Sequence, residues 1–297
     1  MERTPVSLAP ILLFTYKRLE TLEKTVQSLQ QNELSSGSEL FIFSDGAKTD
    51  EDVSSVHKVR EYLKSISGFK SVHIFETRQN KGLANSIIEG VTQVINEYGK
   101  VIVLEDDLLT SPNFLLYMNQ ALNFYERNSK IFSVAGYSYN VPLLRKNWQK
   151  DYYVTYRTSS WGWGSWKERW NSIDWDVKGF DEFINDPKEI KRFLLLGRDV
   201  NRLLKNQMTG KMDSWAIRMC FSQFKQNKLT IYPKVSKIQN IGFMPGATHT
   251  VRGKRFRTIL DTGDQNKFLF DEDIVVDDKL LRKIDSLRSI LRRIIDR

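Results

Sequence analysis

The chain has 297 residues, 40% hydrophobic and 27% charged, enough for a substantial core and ordinary for a folded protein. Its single cysteine, Cys220, excludes an intramolecular disulfide framework and fits a reducing, cytoplasmic setting, while no apolar run before Lys17 has the length of a signal peptide or a membrane span. The formal charge of +9 favours anionic partners, but the basic residues are dispersed and carry no RNP, zinc-finger or helix-turn-helix pattern, which argues against nucleic acid and for a phosphorylated small molecule or an anionic membrane surface.

In chain order, residues 11–15, 40–44, 72–75, 101–104 and 131–135 are short apolar runs rich in β-branched and aromatic residues, and read as buried strands. Between them Leu19, Leu22, Val26 and Leu29 share a helical face, as do Val53, Val56, Val59 and Leu63. Leu83, Ile87, Val91, Val94 and Tyr98 form a third such face, and Phe114, Met118, Ala121 and Tyr125 a fourth. Repeated strand–helix units predict an α/β fold with a mostly parallel sheet and helices on both faces. Past residue 140 the texture changes, because residues 148–175 hold six of the seven tryptophans. Helical texture returns at 182–204 and 214–226, a strand is expected at 229–233, and 240–257 reads as a loop. The expected division is a catalytic domain over 1–270, with a donor half over about 1–140 and an acceptor half over 141–270, followed by a basic amphipathic helix within 271–297.

Glu105-Asp106-Asp107 directly follows an apolar strand, at the carboxyl edge where open α/β sheets bind ligands. Clustered carboxylates repel one another and a divalent cation relieves that repulsion; all-oxygen ligation suits Mg2+ or Mn2+. An acidic solvated turn is the bland alternative. Ser111 and Pro112 read as the N-cap and first residue of the following helix.

Residues 101–117 (VIVLEDDLLTSPNFLLY) resemble the metal-binding segment of GT-A glycosyltransferases of the N-acetylglucosaminyltransferase I-like kind. Three other pieces resemble the same family in the same order: PILLFTYKR at 10–18, FIFSDG at 41–46 and NKGLANS at 80–86. The likeness runs from about residue 8 to about 250. It implies a GT-A-like nucleotide-binding fold and a metal-dependent transfer from a nucleoside diphosphate sugar, UDP-sugar preferred, to a glycan or lipid-linked glycan hydroxyl. It further implies that Asp107 ligates the metal, Glu105 supports that site and Asp106 binds the donor ribose. Asp45 would face the base, with Thr15 and Arg18 lining the nucleotide pocket and Lys81 near it; Asp45-Gly46 also reads simply as a strand-ending turn.

KMDSW at 211–215 resembles the acid–aromatic segment that supplies the base of inverting members, which makes Asp213 the candidate base. The family carries paired acids before its tryptophan, whereas Ser214 stands second here; Asp213 also reads as a helix N-cap. NIGF at 240–243 and ATHT at 247–250 resemble a late loop of related bacterial sugar transferases, whose histidine lies near the diphosphate. His249 is thus a candidate metal ligand or phosphate donor, with Arg252 beside it. Within SSWGWGSW at 159–166, Trp161, Gly162, Trp163 and Gly164 are expected beside the donor sugar, and Trp166 and Trp170 in the core.

Leu280, Ile284, Leu287, Leu291 and Ile294 form one stripe of a basic C-terminal helix, which fits an anionic membrane on the cytoplasmic side, its own domain, or a second subunit. Two other functions stay open at this point. A sugar nucleotidyltransferase shares the acids and metal, but its glycine-rich phosphate loop has no counterpart in Thr15-Tyr16-Lys17-Arg18. A non-catalytic carbohydrate-binding protein accounts for the tryptophans and not for the acids.

Overall fold

The computed structural model describes residues 8–146, 148–242 and 258–295. β1 (Ile11–Thr15) is buried along its whole length, as a central strand must be. Its neighbours are β2 (Glu39–Ser44) and, at the sheet edge, β3 (Ser71–Glu76), joined through α1 (Leu19–Gln30) and α2 (Asp50–Leu63). Through α3 (Leu83–Tyr98) the chain returns to the other side of β1 as β4 (Lys100–Glu105). All these pairings are parallel, as right-handed strand–helix crossovers produce.

After β4 come β5 (Leu108–Thr110), α4 (Phe114–Tyr125), β6 (Ile131–Ala135), α5 (Pro142–Lys146), β7 (Tyr152–Thr155), β8 (Trp163–Trp166) and α6 (Lys167–Asn171). A helical lobe follows: α7 (Phe180–Ile184), α8 (Pro187–Phe193), α9 (Val200–Met208) and α10 (Trp215–Lys225). β9 (Leu229–Pro233), β10 (Ile238–Asn240) and α11 (Asp278–Ile295) complete the order. The main sheet runs β3-β2-β1-β4-β8-β6-β9-β7. Only β8 and β7 oppose the other strands, so the fold is α/β with a mostly parallel sheet flanked by helices.

Strand alternation divides the core. Ile11, Leu13, Ile102 and Leu104 face α1 and α4, while Leu12, Phe14, Val101 and Val103 face α3 and the tryptophans. Trp163 lies on this second face, 1% exposed and stacked on Trp170 at 5.6 Å and Trp215 at 5.2 Å. This corrects the expectation that Trp163 and Gly164 meet a sugar. A Cβ on Gly164 would lie 2.7 Å from the Val101 carbonyl, so the glycine lets β8 close against β4. Gly162, at φ 55°, likewise yields to Ile238, 2.5 Å from where its Cβ would be. Replacing Trp163 with Ala should therefore destabilise the protein by about 3–5 kcal/mol in urea unfolding; a loss under about 1 kcal/mol would contradict the core placement.

The helical texture expected at 182–204 is divided among α7, α8 and α9: Pro187 starts α8, capped by the Asp186 carboxylate, which accepts from the Lys188 and Glu189 amides. Gly197, at φ 135°, then ends the turn before α9. One other expectation is corrected, the start of α4. Ser111 and Pro112 do not open α4, which starts at Phe114 behind Asn113. Ser111 Oγ instead donates to Asn113 Oδ1, and the Asn113 amide donates to Asp261 and the Gln265 carbonyl, tying the 258–274 segment onto α4. Farther on, α11 docks on its own chain through buried Leu280 and Ile284, and Arg198 pairs with Asp285 at 2.9 Å. No helix among the described residues is long and apolar enough to cross a membrane.

Candidate active site

The carboxyl ends of β1, β2 and β4 converge at one edge of the sheet. Asp106 is 3% exposed there and is held from the β1 loop: Thr15 Oγ1 donates to its Oδ2 at 3.1 Å and the Tyr16 amide at 3.2 Å. Its other oxygen accepts from Arg18 Nη2 at 2.5 Å, and the same nitrogen donates to Asp107 Oδ2 at 2.9 Å. One cationic nitrogen thus sits between both carboxylates. The loop carrying it is pinned from outside, because Asp52 accepts from Tyr16 Oη at 2.7 Å and from Lys17 Nζ at 2.6 Å. Those bonds, Lys17 first, hold the Asp52 carboxyl down at about 2.

Asp107 is reached from a second direction. β10 pairs with β5 in a two-stranded ladder that returns the chain to the acids. Ile241 N donates to the Asp107 carbonyl at 2.8 Å, and Gly242 lies so close that a Cβ on it would be 2.1 Å from Asp107 Oδ2. Sequence reasoning gave Gly242 no role; its signal was a glycine in the late loop, without meaning until the β5–β10 pairing is known. His249 and Arg252 lie outside the described residues.

Glu105 follows Val101 and Val103 on the strand and so points to the α3 face, away from the Asp106–Asp107 pair. Burial first, then Asp107 and Asp106, push its carboxyl up to about 8, against the pull of Arg18. Burial raises Asp106 too. Burial works against the Arg18 charge, yet the two aspartates together hold its pKa above the ordinary value. Asp106 and Asp107 share the single Arg18 guanidinium, so two carboxylates face one positive group. Glu105, expected to support Asp107 at the metal, lies on the other face of the strand, and among the described residues no three His, Cys, Asp or Glu side chains converge.

The raised Glu105 pKa has a pH consequence. Between its ordinary 4.5 and about 8 the folded protein keeps a proton that the unfolded chain releases, so stability falls as pH rises through that window. Glu105→Gln should flatten this slope and raise the melting temperature at pH 7.5; unchanged melting at both pH 5 and pH 7.5 would contradict it.

Asp45 is placed at the end of β2, 8% exposed, but its carboxylate is already taken. It accepts from the Gly46 amide at 2.9 Å, Thr77 Oγ1 at 2.9 Å, the Lys81 amide at 2.9 Å and the Gly82 amide at 3.0 Å. Asp45, expected to face the base, fastens the 77–82 loop and the start of α3 to β2. Asp45→Ala should cost about 2–4 kcal/mol by stranding these donors, measured by chemical unfolding; a loss within about 0.5 kcal/mol would refute the assignment. The Lys81 side chain pairs with Glu89. A cavity of about 380 Å³ opens beside them, lined among others by Phe43, Phe75, Thr77 and Ser86.

Trp161 is half-buried, its ring edge-on to Tyr137 at 4.9 Å. Asp213 keeps a 60% exposed side chain and pairs with Arg218 at 3.0 Å. It is not the N-cap of α10: Ser214 is, its hydroxyl accepting from Ile217 N. Ser214 thus does the capping, and the preceding carboxylate remains directed to solvent. Two residues beyond Asp213, Trp215 stacks on Trp163, which pairs with Val103, so α10 begins near the carboxyl end of β4.

Among solved structures, the mannosyltransferase PcManGT from Pyrobaculum calidifontis, in complex with GDP-Man and Mn2+, is 12% identical over 75% of this chain and 73% of its own, with a TM-score of 0.40. TarS from S. aureus is 15% identical over 42% of this chain and 21% of its own, at 0.30. No curated protein matches the sequence. The sequence model of glycosyl transferase family 2 matches residues 11–188, more than half of the chain and every strand from β1 to β8, and the chain belongs to that family.

Proposed function

We propose that this glycosyltransferase moves a sugar from a nucleoside diphosphate sugar, UDP-sugar preferred, to a hydroxyl of a glycan or lipid-linked glycan, with inversion and with Mn2+ or Mg2+. The observation that carries the reading is the grip of Asp106 and Asp107 on one cationic position at the carboxyl edge of the sheet. The UDP preference rests on the resemblance of residues 101–117 to N-acetylglucosaminyltransferase I-like enzymes.

Asp107 is assigned to the cation, and Asp106, oriented by Thr15 and the Tyr16 amide, to the donor ribose. A bound divalent cation supplies charge stabilisation to the departing diphosphate. Arg18 and Thr15 border the nucleotide, and Asp45 shapes that pocket by holding the loop of Lys81 in place. Trp161 and Gly162 are assigned to the neighbourhood of the donor sugar and the acceptor. Asp213, oriented by Arg218, takes the proton of the acceptor hydroxyl. The freed oxygen attacks the anomeric carbon, the bond from that carbon to the diphosphate breaks, and the nucleoside diphosphate leaves with the electron pair. Calorimetry with UDP and GDP tests the donor half. Binding strengthened at least tenfold by Mn2+ supports the reading, whereas no binding of either nucleotide with or without Mn2+ contradicts it.

A further inference from the structure

We infer that the Arg18 guanidinium and a divalent cation compete for the Asp107 carboxylate, at the position beside Asp106 that Arg18 Nη2 occupies, so that binding the cation requires Arg18 to leave. The inference rests on the proposed donor site and adds a residue that controls access to it. Arg18 Nη2 lies 2.5 Å from Asp106 Oδ1 and 2.9 Å from Asp107 Oδ2, so it uses one oxygen of each carboxylate. Mg2+ binds carboxylate oxygen at about 2.0–2.1 Å, and a guanidinium sharing the same oxygens would meet it at contact distance, two positive charges together.

The surroundings let Arg18 move while the acids stay. Thr15 and the Tyr16 amide hold Asp106 by Oδ2, the oxygen Arg18 does not touch. Asp107 is fixed through its backbone carbonyl by Ile241 N. Arg18 stands just before α1 with a side chain 31% exposed, so a solvent side is open to it. Gly242 completes the enclosure: its missing Cβ would lie 2.1 Å from Asp107 Oδ2 and 3.1 Å from Arg18 Nη1, so backbone is packed directly over the ion pair. Arg18 and Gly242 together cover the position that the cation needs.

The test is Mn2+ binding by the full chain without nucleotide, read from the electron paramagnetic resonance of free Mn2+. Arg18→Gln, which removes the charge, should tighten binding at least tenfold, and Arg18→Lys, which keeps a charge but loses the fork, should fall between it and the unaltered chain. Equal or weaker Mn2+ affinity in both folded variants would overturn the inference, as would no binding by any of the three proteins. A second measurement needs no variant: Mg2+ titrated into 15N-labelled protein should speed hydrogen exchange of the Arg18 guanidinium. Unchanged exchange at saturating Mg2+ would overturn it equally. Neither readout involves a nucleotide or sugar transfer, so failure here is distinct from failure of the proposed function, which is read from nucleotide binding and nucleoside diphosphate release.

Discussion

Asp107→Asn is expected to lower sugar transfer at least about a thousandfold while leaving the fold intact, because it removes the carboxylate assigned to the cation. The physical case is one of charge. Asp107 reaches Arg18 Nη2 with Oδ2, contributes to the raised Glu105 pKa, and lies under Gly242. An amide keeps the shape and loses the charge, so the repulsion among the three acids falls and thermal unfolding should be unchanged or shifted upward. Mn2+ should no longer stimulate donor turnover. A folded Asp107→Asn protein with near-normal, Mn2+-stimulated turnover would remove Asp107 from the cation site.

Asp213→Asn should reduce transfer by about 10²–10⁴-fold and leave donor binding within about twofold, the signature of losing a general base rather than a binding group. Asp213 is well suited to such a test, because Ser214 rather than Asp213 caps α10 and the side chain lies 60% exposed. An asparagine keeps an amide oxygen that can still accept from Arg218, whose side chain is 14% exposed. The charge of the ion pair with Arg218 is lost, and Arg218 is also held by the Ser214 and Trp175 carbonyls, so the fold should be kept. Calorimetry with the nucleotide and product quantification by mass spectrometry separate the two effects. Transfer at the unaltered rate would rule out Asp213 as base.

The parallel half of the fold was legible because its strands are buried on both faces. Apolar runs such as Ile11–Thr15 mark central strands whatever lies around them, and the helical stripes between them require a sheet to cover. The Asp106–Asp107 pair was legible for the same reason, since it follows such a run at the edge where ligands bind. What was not legible depends on contacts distant in sequence. Trp163 looks like a sugar platform until β8 is seen to pair with β4 and its ring to stack between Trp170 and Trp215. The anchoring of Asp45 is unseen until three donors from residues 77–82 close on it. The bridge from Arg18 to residues 88 and 89 positions later, and the return of Gly242 to Asp107, have no local periodicity to betray them. Glu105 separates from its neighbours only through the alternation of β4, which turns its carboxylate to the α3 face.

The central claim, a cation-dependent transfer from a nucleoside diphosphate sugar, is tested most directly by incubating the protein with a panel of UDP- and GDP-sugars, with Mn2+ and with chelator, and identifying the released nucleotide by mass. The account predicts release of the nucleoside diphosphate from at least one donor, dependent on Mn2+ and lost in Asp107→Asn. Pyrophosphate as the product, or diphosphate release equal in chelator and in Mn2+, would contradict it.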